Sequence, residues 1–212
     1  MALYQLFSPQ PDIQIGIWRM EEDETQLMAA LPEQIAGQVK RFTAPHRRIE
    51  WLSVRVLLQH LLSGQSPDIQ YAPSGAPILA DGSFAVSISH TKGYACVMLA
   101  PAGLRIGIDI EQWGERVRKV ASRFMRDDEL ASPYQESSIA SLLLHWSAKE
   151  AIYKCMEIQE EVDFKEHLRI FPFEVKEEGT FQAQEYRSPR QHPYTVSYRL
   201  HPDFVLTWTL HS

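Results

Sequence analysis

Hydrophobic and polar positions alternate along Arg105–Glu111, with Ile106, Ile108 and Ile110 set against Gly107, Asp109 and Glu111. A strand of this period sends the isoleucines to one side and the two acids to the other. Roughly 7 Å apart along the strand, the carboxylates repel one another unless a cation stands between them or water surrounds them. Further on the period lengthens: Leu144, Ala148, Ala151, Ile152 and Cys155 recur at helical spacing and predict an apolar stripe. Trp146, Glu150 and Lys154 fall on the opposite side, each one turn from the next.

The rest of the chain reads as α+β. Residues 1 to 20 suggest strands, with Ile13, Ile15 and Ile17 alternating against Gln14, Gly16 and Trp18. Residues 21 to 30 predict an acid-started helix, and a stronger helix follows Thr43 and Pro45 through Ile49, Leu52, Val56 and Leu61 to a stop at Gly64. Residues 66 to 80 read as a loop, punctuated by Pro67, Pro73, Gly75 and Pro77. Three strand-like runs follow, Phe84 to His90, Tyr94 to Ala100 and Arg105 to Glu111, joined by short turns. Antiparallel order would bring Ser89-His90 and Asp109/Glu111 to the same end of one sheet. Beyond Glu157, strands are expected at 171–175, 194–200 and 204–210. No repeat shows in the literal sequence.

Composition narrows the function without choosing it. With 212 residues, 44% hydrophobic and 23% charged, the chain suits a soluble globular protein of one large or two small domains. No run approaches the roughly 18 apolar residues of a membrane span, and the start lacks the pattern of a signal peptide, so no membrane partner and a cytoplasmic location are expected. A net charge of -6 argues against nucleic acid as a partner. Cys96 and Cys155 lack metal spacing and read as buried free thiols, and the eight histidines give no zinc pattern.

Asp109, Glu111 and Glu150 together would make an oxygen site suited to a hard divalent ion, Mg2+ or alternatively Mn2+. Lys154 would reach a phosphate or a leaving oxygen, and Ser89 with His90 suits a pyrophosphate, His90 donating a hydrogen bond. Neighbours on a strand point to opposite faces, which ranks a serine–histidine hydrolase low. Arg48 and Arg55 share a helix face that would suit nucleotide phosphates. Five bases between Arg116 and Arg126 form a positive run on an acidic protein. Each pattern alone is as well read as solvated surface or a strand-end acid pair.

In conjunction the patterns resemble one family. Gly107-Ile-Asp109-Ile-Glu111, Trp146-Ser-Ala-Lys149-Glu150-Ala-Ile-Tyr-Lys154 and the earlier Ser87-Ile-Ser89-His90 are similar to motifs of the 4'-phosphopantetheinyl transferases of the surfactin-synthetase-activator type. The resemblance is densest from about residue 45 to 155. It implies two similar α+β subdomains meeting at a cleft, here 1–103 and 104–212. It implies transfer of the 4'-phosphopantetheine arm of coenzyme A to a serine of an apo acyl or peptidyl carrier protein, by an enzyme expected to be a monomer. Asp109, Glu111 and Glu150 would hold the metal, Glu150 would act as base, and Lys154 with His90 would meet the leaving oxygen. An arginine at Arg47 or Arg48 would hold the 3'-phosphate of coenzyme A, and the basic run would dock the carrier. Lys149 would meet a coenzyme A phosphate or the helix's own surroundings. The family's usual lysine is replaced by Ala76 in Gly75-Ala76-Pro77. A Mg2+-dependent phosphodiesterase and a decayed carrier-binding protein are the competing readings.

Overall fold

A glycine inside a strand sets the architecture twice. The computed structural model describes residues 3–65, 68–157 and 161–211, in two compact units, Met1–Gly103 and Leu104–Ser212. In the first, β1 (Leu3–Phe7), β2 (Gln14–Arg19), β5 (Phe84–Thr91) and β6 (Tyr94–Pro101) form an antiparallel sheet in the order β1-β2-β6-β5. Helices α1 (Glu24–Ala29), α2 (Glu33–Ala36) and α3 (Pro45–Leu61) and a hairpin of β3 (Ile69–Tyr71) and β4 (Pro77–Leu79) complete it. The second unit orders β7 (Arg105–Gln112), β11 (Phe204–His211), β10 (Pro193–Leu200), β9 (Glu178–Glu185) and β8 (Leu168–Ile170) side by side. Its helices are α4 (Arg116–Val120), α5 (Ile139–Cys155) and α6 (Phe164–His167). The α+β class expected from the sequence is what forms.

Both units share one plan. A strand (β2 or β7) leads to a 17-residue helix (α3 or α5) and then to a hairpin whose last strand (β6 or β11) pairs antiparallel with the first. Ile15-Gly16-Ile17 and Ile106-Gly107-Ile108 occupy matching places, a tripeptide repeat that sequence inspection missed because three residues carry no statistical weight. At each glycine the helix lies close. A Cβ on Gly16 would stand 2.8 Å from the Leu57 Cδ1, and one on Gly107 would stand 1.8 Å from the Ala151 carbonyl oxygen. Two residues past each glycine, a side chain meets the helix: Trp18 packs against His60 with tilted rings, centroids 5.4 Å apart, and Asp109 pairs with Lys154 at 2.8 Å.

Several expectations need correcting. β5 and β7 lie in different sheets, so Ser89-His90 and Asp109/Glu111 do not end one common sheet. The turn at Pro101–Gly103 leads from β6 in one sheet to β7 in another, so it closes no hairpin. β2 is buried along Ile15–Trp18, residues that alternate between its two faces, so it does not show the one-sided burial that alternation predicts. Within 66–80 the chain forms the β3–β4 hairpin; Pro77 opens β4, where its missing N–H is tolerated, and Ser66 and Pro67 lie outside the described residues. Residues 171–175 pair with no strand as an element; β8 and the polar β9 do so instead. The helix predicted to run to Gly64 closes at Leu61. The helix that begins at Ile139 is buried nearly all round, so its apolar stripe is one face among several.

Gly107 is therefore under a stronger constraint than Gly16. A Gly107→Ala substitution is expected to destabilise the protein by about 3 kcal/mol or more, since backbone atoms must move apart. Gly16→Ala meets only the mobile ends of leucines and is expected to cost less. Urea unfolding of the two variants tests the order, and equal losses would refute it.

Candidate active site

β7 turns its glycine–acid face toward α5. Gly107 touches the helix backbone, Asp109 Oδ1 accepts from Lys154 Nζ at 2.8 Å, and Glu111 Oε1 accepts from the Trp146 indole at 2.7 Å. The Lys154 ammonium also donates to the Ile108 carbonyl at 2.9 Å. Alternation on β7 and one-turn spacing on α5 thus do what the sequence suggested: they put Trp146, Glu150 and Lys154 against the acids. Lys154 lies in the last turn of α5, where a cation also favours the helix dipole.

Asp109 is buried, and Glu111 and Glu150 are half-buried. Burial, then the charge of Asp109, raises the Glu111 carboxyl to about 7, against the opposing Trp146 hydrogen bond. Burial, then Asp109, likewise raises Glu150 to about 7, with Lys154 opposing. Three carboxylates therefore sense one another, with the Lys154 ammonium on one of them. Among the described residues no three His, Cys, Asp or Glu side chains stand as a ready metal cage. The donor set nevertheless fits a hard divalent cation: all ligands are carboxylate oxygens, and their crowded charge would be relieved by one.

Beside Glu150, the Lys149 side chain is fully buried and pairs with Glu129 at 2.8 Å. Its ammonium also donates to the carbonyls of Phe124 and Phe164, at 2.6 and 3.2 Å. Burial lowers its pKa, against the attraction of Glu129. Of the two surroundings expected for Lys149, its side chain occupies the helix's own environment. Glu129 also accepts from the backbone N–H groups of Ile170 and Arg126. Nothing in the sequence separates Glu129 from its exposed neighbours Asp127 and Asp128. In the basic run, Arg118 binds Glu115, Ser137 and Ser138, and Arg126 binds Asp128 and two carbonyls. Arg116, Lys119 and Arg123 stay exposed.

In the first unit, Glu50 on α3 lies 3.1 Å from Arg47 and 3.6 Å from His90 Nδ1. Arg48 is directed elsewhere, to Glu24 at 2.7 Å and to the carbonyls of Phe42 and Thr43. Ser89 is buried on β5. Arg55 is buried rather than displayed beside Arg48, its guanidinium 3.4 Å over the Trp51 ring and its pKa lowered to about 10, chiefly by burial. Ala76 sits in the β3–β4 turn, its carbonyl accepting from the Ala72 N–H.

Residues 105–209 match the profile of the 4'-phosphopantetheinyl transferase superfamily, and residues 34–100 match that of the 4'-phosphopantetheinyl transferase N-terminal domain. The chain belongs to the 4'-phosphopantetheinyl transferase superfamily. No curated protein matches it. The first profile holds β7 and α5 entire, so the carboxylate–lysine site of this transferase lies wholly within the matched region. Both thiols are free and buried as expected; Cys155 is pushed up to about 12, mainly by burial. No helix of the described residues is long and apolar enough to cross a membrane.

The raised carboxyls give a pH prediction for the metal-free transferase. Between about 4.5 and about 7 the folded state keeps protons on Glu111 and Glu150 that the unfolded chain has released, so stability falls as pH rises through that window. Melting temperature in EDTA should decline from pH 5 to 8 more steeply in the wild type than in Glu111→Gln/Glu150→Gln. Parallel pH profiles would contradict this.

Proposed function

We propose that the protein is a cytoplasmic transferase of the surfactin-synthetase-activator type. It moves the 4'-phosphopantetheine arm of coenzyme A to a serine of an apo acyl or peptidyl carrier protein and releases adenosine 3',5'-bisphosphate. The observation that carries this reading is the grouping of Asp109, Glu111, Glu150 and Lys154 between β7 and α5, in a chain of this superfamily.

Asp109, Glu111 and Glu150 would hold a hard divalent cation, Mg2+ or Mn2+, which when bound supplies charge neutralisation at the pyrophosphate. Glu150 would take the proton of the carrier serine, directly or through a water. The serine oxygen attacks the phosphorus that bears the pantetheine arm. The bond from that phosphorus to the bridging oxygen breaks, and the electron pair stays on the adenosine bisphosphate. Lys154 would place positive charge near that oxygen.

Arg47, the more exposed of the two arginines and joined to His90 through Glu50, would hold a coenzyme A phosphate together with Ser89 and His90. The exposed Arg116, Lys119 and Arg123 would face a carrier whose recognition surface is acidic, speeding encounter.

Intact-mass analysis after incubation with coenzyme A, Mg2+ and a panel of apo carriers tests the reaction. A carrier should gain the arm with wild type and not with Glu150→Gln or Asp109→Ala, at unchanged circular dichroism. Turnover in excess EDTA, or release of adenosine bisphosphate without any carrier, would refute the reading, the latter in favour of a phosphodiesterase. Arg47→Ala should raise the KM for coenzyme A by roughly tenfold, the loss of one charge-assisted contact, while Arg48→Ala leaves it near the wild-type value. The reverse order would transfer the role to Arg48.

A further inference from the structure

We propose that Lys149 is a positioning residue for Glu111, acting through Trp146. This rests on the transferase reading of the Asp109–Glu111–Glu150 site and adds a residue directed away from those acids, into a buried ion pair.

Glu111 is oriented by the Trp146 indole N–H, which donates to Oε1 at 2.7 Å. The aim of that N–H depends on where the indole ring lies. The ring is packed between Phe124, with centroids 5.3 Å apart, and Phe164, with centroids 5.6 Å apart. These two phenylalanines come from separate segments, one before α5 and one at the start of α6. Their main-chain carbonyls both accept from the Lys149 ammonium, at 2.6 and 3.2 Å. Its remaining donor goes to Glu129, and an ammonium has three. Glu129 is fixed in turn by the backbone N–H groups of Arg126 and Ile170.

One turn of α5 thus carries both the ring that aims at Glu111 and the ammonium that holds the two walls of that ring. Lys149 and Trp146, three apart, lie on neighbouring positions of the helix surface. An apolar pair of similar volume would fill the space of Lys149 and Glu129 without the desolvation of two charges. It would not tie the Phe124 and Phe164 carbonyls to one point. That tie is the geometric service the buried charge performs.

The test uses the full chain in two variants, Lys149→Met/Glu129→Gln and Phe164→Leu. The first removes the ammonium and the charge of its counter-ion while keeping an acceptor for Ile170. The second leaves Lys149 intact and removes one wall of the ring. The readout is the 1H–15N indole resonance of Trp146, assigned with Trp146→Phe, followed during a Mg2+ titration without coenzyme A or carrier. In both folded variants the indole proton should exchange faster, and in the lysine variant the Mg2+ midpoint should rise roughly tenfold, as for a lost outer partner of a metal ligand. Phe164→Leu should show a smaller rise.

Exchange and Mg2+ midpoint at wild-type values in the folded lysine variant would overturn the proposal. Should that variant not fold, the same result in Phe164→Leu overturns it. A wild type that ignores Mg2+, with an indole that loosens in both variants, would leave the positioning of Glu111 standing and remove the metal-dependent transferase reading alone.

Discussion

The close approach of β7 to α5 is the constraint on which the second unit depends. Strand and helix backbones meet at Gly107 and Ala151 with no room for a side chain between them. Short side chains on the carboxylates and one long one on Lys154 can then bridge what remains. With the helix held farther out, the 2.8 Å contact of Lys154 to Asp109 and the 2.7 Å contact of Trp146 to Glu111 would both be lost. Packing and chemistry are here the same distance.

Charge is distributed around that seam in two different ways. On the strand side, three acids crowd around one ammonium, and burial together with Asp109 raises Glu111 and Glu150 to about 7. On the far side of the same helix turn, Lys149 and Glu129 cancel each other completely out of water and bond to backbone as well. The first arrangement responds to pH because its two raised carboxyls titrate near neutrality. The second is rigid because it is balanced, and removing one member of such a pair leaves an uncompensated buried charge.

Much of the seam was legible beforehand. Period two on Arg105–Glu111 and period 3.6 on Trp146, Glu150 and Lys154 gave both faces, and they met as the spacing requires. The α+β class and the buried thiols were equally readable. What stayed hidden depends on long-range placement. That Ser89-His90 ends a sheet different from that of Asp109 could not be read from three strands joined by tight turns, since a turn of the same length can close a hairpin or separate two units. Glu129 looks like its exposed neighbours until its partner, 20 residues on, is known. Arg47 and Arg48 are adjacent on a helix, and their partners Glu50 and Glu24, rather than their spacing, tell them apart. Polar β9 escaped because burial on one face only, with glutamines on the other, mimics a loop.

The twice-used strand–helix–hairpin plan has a further consequence. At the place where the second unit sets Asp109 against Lys154, the first sets Trp18 against His60, and the scaffold accepts either. The same backbone frame therefore carries an aromatic contact in one copy and an ion pair in the other, so the side chains at two positions, and not the frame, decide the character of the seam.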